Sequence, residues 1–357
     1  MIRVLVTAIG GGGHGDQILK ALRTASPGRY MIFGADANPH CPQAALVEQF
    51  VTLPLARDPE YMTELLRTCR ELGVQVLLHG CEPELLLFAA NRQRIEDAGI
   101  FLPINDTALI QLCMDKARTN ARLAELGFPA PRYVNVTSES DFDAIDWFPV
   151  VVKPAVGGGG SANVFIAQDM NELKSLAAYL GLGGIISSFM IQEYVGTPDQ
   201  EFTVGVLHDL DGRYVNAIAV KRHLTSGLSV RTSATNRTGR KELGPRLVIS
   251  SGVSQGDIGR YEDVTKQCRE IADRLGSRGP LNLQCRFVDG KVCVFEINPR
   301  FSGTTSLRAM TGLNEPDLLM RRHLLGQDIG QDAPYQEVTI LRSLAETLQP
   351  RAAKGEL

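Results

Sequence analysis

Near the C-terminal end, Leu281 to Phe287 and Lys291 to Asn298 alternate apolar and polar residues on either side of an Asp289-Gly290 turn. Such alternation predicts a half-buried β-hairpin. On the first strand Leu281, Leu283, Cys285 and Phe287 are expected to face a core, with Asn282, Gln284 and Arg286 on the other face. On the second, Cys293, Phe295 and Ile297 are expected inward, leaving Glu296 and Asn298 outward. A two-residue loop would set Gln284 against Phe295 and break the pattern. A three-residue loop of Val288, Asp289 and Gly290, with Gly290 left-handed, removes the conflict and places Gln284 diagonal to Glu296. Gln284, Glu296 and Asn298 then form an oxygen-only donor set suited to magnesium, with manganese able to take its place. Taken alone, such a pattern is more often a hairpin with a solvated face. Residues elsewhere in the chain reverse that weighting.

Lys153 stands in an apolar run, Val151-Val152-Lys153-Pro154, just before Gly157-Gly158-Gly159-Gly160-Ser161. The run lacks the GK[ST] ending and following helix of a P-loop. Four glycines between two strands instead make a flap whose backbone N–H groups can close over phosphate oxygens, with the Lys153 ammonium beside it. Gln192-Glu193-Tyr194-Val195 ends a strand and leads into Glu201. A turning segment there can present backbone groups to an adenine edge, and Glu201 can accept from ribose hydroxyls. Gly10, Gly12 and Gly15 also satisfy GxGxxG, with Asp36 downstream. A tight turn against neighbouring backbone needs the same glycines, so this dinucleotide signal is weak.

In this order of motifs the chain resembles the ATP-grasp superfamily, and within it the synthetase units of the carbamoyl-phosphate synthase large subunit. The resemblance spans nearly the whole chain. It implies that Lys116 and Lys153 hold ATP phosphates under the flap, that Glu193 and Val195 hold adenine mainly through backbone, and that Glu201 binds ribose. It assigns magnesium to Gln284, Glu296 and Asn298, although the first position is an aspartate or glutamate in many relatives. A full carbamoyl-phosphate synthase needs two such units and an ammonia supply, whereas this chain holds one. The implied activity is ATP-dependent joining of a carboxylate to an amine, through an acyl phosphate, on amino-acid-like substrates, with ADP and phosphate released. Alternatives are a related enzyme using bicarbonate or another nucleophile, and a non-catalytic ATP-binding regulator. Ligases of this kind are often homodimers.

Arg300 directly follows the metal set and can fork onto the transferred phosphoryl group or a substrate carboxylate. Lys221, Arg222 and Arg231 are candidates for the acid substrate, as are Ser302, Gly303 and Thr304, which precede a helix and offer hydroxyls and N–H groups. Glu82 and Glu84 are candidates for a substrate ammonium, though Glu84 can equally be a helix-start acid.

Positioning these groups takes an α/β and α+β chain. Strands at 2–8, 30–35 and 74–79 alternating with helices predict an N-terminal Rossmann-like parallel-sheet domain over 1–108. A two-lobed ATP-grasp fold follows, its small lobe with the glycine flap at 109–191 and its large lobe with the metal site at 192–357. The 357 residues allow two or three compact units. A net charge of -3 gives no reason to expect a nucleic-acid or membrane surface. Seven cysteines without a CxxC pair suit a reducing cytosol. The N-terminal apolar run is too short for a secretory signal.

Overall fold

The computed structural model describes residues 1–157, 162–181 and 189–347. The first sheet is built from β1 (Ile2–Val6), β2 (Tyr30–Asp36), β3 (Gln49–Thr52) and β4 (Val76–Leu78), in the order β3-β2-β1-β4. All its pairings are parallel. Its central strand, with Val4, Leu5 and Val6 fully buried, carries the continuous apolar run that a sheet covered on both faces requires. Leu5, Phe33 and Leu77 pack on one side against the helices Tyr61–Glu71 and Glu82–Ala90. Val4, Val6 and Ile32 pack on the other against the helix His14–Arg23.

The glycines after β1 are explained by close packing. A Cβ on Gly15 would lie 2.4 Å from the Ala8 carbonyl oxygen, and one on Gly80 would lie 2.0 Å from that of Thr7. Asp36 accepts the Gly10 N–H at 2.8 Å, so its carboxylate closes the turn. The GxGxxG spacing thus reflects two chain segments touching, and the presumed ribose acid is already engaged.

A second, antiparallel sheet contains β5 (Tyr133–Val136), β6 (Val150–Pro154), β7 (Phe165–Ala167) and β8 (Phe189–Glu193), ordered β5-β8-β6-β7. It encloses Val150, Val152 and Ile191 beneath the helix Met170–Leu180. The third sheet starts with β9 (Glu201–His208) and β10 (Tyr214–Arg222). A separate ribbon of β11 (Val230–Thr235) and β12 (Arg246–Ser250) interrupts it, where the sequence reading expected a basic connection before a single strand. Then come β13 (Gly256–Gly259), β14 (Pro280–Val288), β15 (Lys291–Asn298) and β16 (Val338–Ile340). The six-stranded order is β15-β14-β9-β10-β13-β16, antiparallel throughout.

Strand alternation divides this large sheet. Val204, Val206, Leu281, Leu283 and Cys285 face the helix Glu262–Leu275. On the opposite face, Leu207, Ile218 and Val220 pack toward the N-terminal sheet. At the other end of that same face lie Glu201, Thr203, Gln284, Arg286 and Arg222, where no apolar cover is needed.

Candidate active site

The β14–β15 hairpin departs from its sequence reading in an instructive way. Val288 pairs with Lys291 across a two-residue loop. Asp289 and Gly290 have φ of 50° and 76°, as a type I′ turn requires. The conflict with alternation is resolved further along, because Cys285 pairs with Val294 while Gln284 pairs with Glu296. Phe295 is the extra residue of a β-bulge. Before the bulge Val292 and Val294 face the core; after it Ile297 does. Cys293 and Phe295 therefore do not point inward as expected, and Gln284 is directly opposite Glu296 rather than diagonal to it.

Two cavities meet on this face. The first, about 710 Å³ and partly open, lies between the small antiparallel sheet and the large one. Its apolar walls come from Val151, Val164, Tyr194, Val195, Ile249 and Phe295, and its polar groups include Lys116, Lys153, Glu201, Gln284 and Glu296. Lys153 is 5% exposed and donates to Gln192 Oε1 at 2.7 Å and to the Phe295 carbonyl at 3.0 Å. Burial pushes its ammonium down to about 7. Lys116 is placed by its helix start. Asp115 caps the helix Lys116–Glu125 by accepting the Arg118 N–H, and Lys116 Nζ donates to the Gly157 carbonyl at 2.7 Å. Gly157 itself has φ of 75°. Gly158, Gly159, Gly160 and Ser161 lie outside the described residues.

The segment after β8 supplies the far end of the slot. Among the described residues the Val195 N–H has no hydrogen-bond partner, while its carbonyl accepts from Arg286 Nη1 at 3.0 Å. The Glu193 side chain is turned to Arg132 and Arg240 and its N–H donates to the Arg132 carbonyl at 2.8 Å, so its own carbonyl is the group left for a ligand. Glu201, 2% exposed, is clamped between Arg222 and Arg286 at 3.2 and 3.1 Å. Arg286 also stacks over the Tyr194 ring at 4.4 Å. The sequence alone assigns no role to Arg286 or Tyr194. The signal available was that Arg286 shares strand parity with Gln284.

The second cavity, about 1150 Å³, continues from Gln284 and Glu296 toward the N-terminal domain. It gathers Glu82, Arg222, Arg231, Arg300, Ser302, Gly303 and Thr304. Arg300 Nη2 donates to Glu82 Oε1 at 2.6 Å and to Asn298 Oδ1 at 3.1 Å. Burial raises the Glu82 carboxyl, but the Arg300 ion pair outweighs it and holds the group below its ordinary range. Glu82 is thus bound to Arg300 as well as facing the cavity.

Two expected substrate contacts are placed elsewhere. Glu84 is buried in the N-terminal domain, where it accepts from Thr7 and Tyr61 hydroxyls at 2.6 Å each and from the Gly80 N–H at 3.1 Å. It is the third residue of its helix and turns back beneath the glycine turn, away from the cavity. Lys221 shares parity with Ala219, whose side chain is in the core under the helix Glu262–Leu275, and it lines neither cavity.

A hard cation suits the donor set. Among the described residues neither Gln284 nor Glu296 has a side-chain hydrogen-bond partner, and Asn298 keeps one lone pair beyond its bond from Arg300. One carboxylate and two amide oxygens at the junction of an anion slot and a polar cavity fit magnesium.

The desolvated Lys153 leads to a test on the resting protein. A bound phosphate raises the lysine back toward its ordinary range, so binding a non-hydrolysable ATP analogue with magnesium at pH 8 takes up nearly one proton. Uptake diminishes as pH falls below 7, where Lys153 is already charged. Calorimetry in buffers of different ionisation enthalpy reads this directly; equal heats in all buffers would remove Lys153 from the phosphate site.

Residues 5–118 match the family model for the PylC-like N-terminal domain, and 245–347 match the model described as ATP-grasp in the biosynthetic pathway with Ter operon. The chain is 26% identical over 287 residues to the carbamoyl phosphate synthase large chain of Gemmatimonas aurantiaca, covering 78% of this chain and 24% of that one. It is 34% identical over 117 residues to the D-alanine–D-alanine ligase of Stutzerimonas stutzeri, covering 32% and 36%. The chain thus spans well under half the length of these curated relatives. Its fold aligns with the L-amino acid ligase of Bacillus licheniformis at a TM-score of 0.64 and 18% identity, over 91% of this chain and 74% of that one. The N5-carboxyaminoimidazole ribonucleotide synthetase of Thermus thermophilus aligns at 0.63 and 18%, over 94% and 81%. Two family models at either end and the fold alignments between them show that the chain has the ATP-grasp fold and is similar to that superfamily, with Lys116, Lys153 and Glu201 in its slot.

Proposed function

We propose that this protein is an ATP-dependent carboxylate–amine ligase acting on small, amino-acid-like substrates and releasing ADP and phosphate. The observation that carries this is the junction itself: an apolar slot with two lysines opens, across Gln284 and Glu296, into a separate polar cavity. A nucleotide in the slot would direct its phosphates at whatever occupies the cavity.

In this reading Val195 and the Glu193 backbone hold the base, Glu201 faces the ribose, and Lys116 and Lys153 neutralise the phosphates. Magnesium held by Gln284, Glu296 and Asn298 would supply charge neutralisation at the γ-phosphate. The substrate carboxylate oxygen attacks the γ-phosphorus, the bond to ADP breaks, and an acyl phosphate forms. The amine then attacks the acyl carbon and phosphate departs. The protein's share is positioning and electrostatics. Arg300, held by Glu82, is the guanidinium nearest the metal set and is suited to the phosphoryl oxygens. Ser302 and Thr304, also in the cavity wall, join their hydroxyls at 2.7 Å.

Seven free cysteines support a reducing, cytoplasmic setting. No helix among the described residues is long and apolar enough to cross a membrane. The decisive assay measures ADP release against pairs of amino acids with mass detection of the product. NADH binding without ATP binding would sink the proposal.

A further inference from the structure

The two cavities differ in chemistry. The nucleotide slot is walled by valines, Ile249, Tyr194 and Phe295. Around the second cavity, among the described residues, Val253 alone has an aliphatic side chain, and the His14 imidazole is the one ring. The remainder of its wall is glycine backbone, hydroxyls, amides and charged groups.

Much of that polarity is held in place internally. Arg222 is tied to Glu201 and to the carbonyls of Ser251 and Val253 at 2.9 and 3.2 Å. Asn282 Oδ1 accepts from Thr203 at 3.0 Å and from Arg308 at 2.9 Å, which leaves its amide N–H groups to face the cavity. Arg342 donates to the Ser254 and Gly303 carbonyls, fixing two of the wall's loops. Arg231 is different: it is exposed on β11 and, among the described residues, makes no ion pair or hydrogen bond through its side chain. The lining of the cavity therefore includes, among the described residues, a cation without a partner, as well as the carboxylate of Glu296.

An apolar side chain gains affinity by leaving water for apolar contact, and this wall offers almost none. It would also strip water from hydroxyls and amides without replacing their hydrogen bonds. A polar ligand does the reverse. We infer that the substrate occupying this cavity is a small anion that carries a second anionic or hydroxylated group, with that group against Arg231, and is not an amino acid with an apolar side chain. The inference rests on the ligase reading for the direction of the nucleotide but concerns the cavity alone.

The test is thermal stabilisation of the full chain preloaded with magnesium and a non-hydrolysable ATP analogue. Matched compounds are added at about 10 mM, a concentration at which millimolar binding gives a readable rise in Tm. The polar set is aspartate, glutamate, serine and gluconate; the apolar set is leucine, norvaline, phenylalanine and hexanoate. At least one polar anion is expected to raise Tm while the apolar set does not, and Arg231→Ala is expected to weaken that anion about tenfold, as losing one partly exposed charge contact should. Arg231→Lys should restore part of the loss, and the analogue's own stabilisation should be unchanged in both variants. Apolar compounds stabilising as well as polar ones, no stabilisation by any polar anion, or a wild-type response in Arg231→Ala would each overturn the inference. Failure of the ATP analogue itself to stabilise the protein would instead overturn the ligase reading.

Discussion

Replacing Glu296 with alanine is expected to lower substrate-dependent ADP formation about a thousandfold or more, a loss of ~4 kcal/mol of transition-state stabilisation. Glu296 is the one carboxylate of the donor set, and at the junction it faces Lys153 on one side and the polar cavity on the other. Without it, two neutral amides are left to hold a divalent cation beside a polyphosphate. Its loss should scarcely affect folding, because among the described residues no hydrogen bond to its side chain is broken. The variant's Tm should stay within a few degrees of wild type, as for other substitutions away from packed groups. Glu296→Gln keeps the shape and removes the charge, and should fall between the two. Steady-state ADP release with magnesium titration checks this. Activity near the wild-type rate in Glu296→Ala would show that the metal assignment is wrong.

Lys153→Ala should reduce kcat/KM for ATP about a hundredfold, ~2.7 kcal/mol, chiefly through nucleotide affinity. An ammonium in an apolar slot acts on a phosphate with little screening by water, and Lys116, tied to Gly157, is placed to compensate only in part. This change differs from the glutamate one in its cost to the fold. Truncation leaves Gln192 Oε1 and the Phe295 carbonyl without their donor in a buried place, a penalty of ~1–3 kcal/mol. Lys153→Met, which preserves more of the volume, separates packing from charge. Binding of the ATP analogue and thermal melts, measured on both variants, tell the two effects apart. Unchanged ATP kinetics in a folded Lys153→Ala protein would dismiss the phosphate role.

The residue types that carry the slot were legible because their spacing is local. Val151 to Lys153 announces an interrupted apolar strand, and Glu296 to Arg300 a strand end. Groups acting across the fold were not legible. Nothing near Arg286 in the chain says that it clamps Glu201, because the two meet only when β14 lies beside β9. Glu82 and Glu84 look equivalent in sequence, yet one reaches Arg300 and the other is buried under the glycine turn. Lys221 and Arg222 are adjacent and basic, and alternation sends them to opposite faces. Strand β11 reads as part of a connection because its polar residues, alternately half-buried and exposed, leave no apolar face to mark it, whereas the apolar run of β12 reads as a strand.

The hairpin carries an Asp-Gly dipeptide, the strongest short-range turn signal available, whereas a regular alternation along β15 asks for a longer loop. The pattern was irregular because the strand is. One extra residue, Phe295, changes which side of β15 faces the core, and its carbonyl accepts from Lys153 on the facing sheet. Deleting Phe295 would therefore leave a regular ladder, with Glu296 still opposite Gln284 and Val294 and Ile297 still in the core, but would remove the carbonyl that Lys153 meets. The extra residue is dispensable to the hairpin's own alternation, and what it adds is a tether between the two sheets that wall the slot.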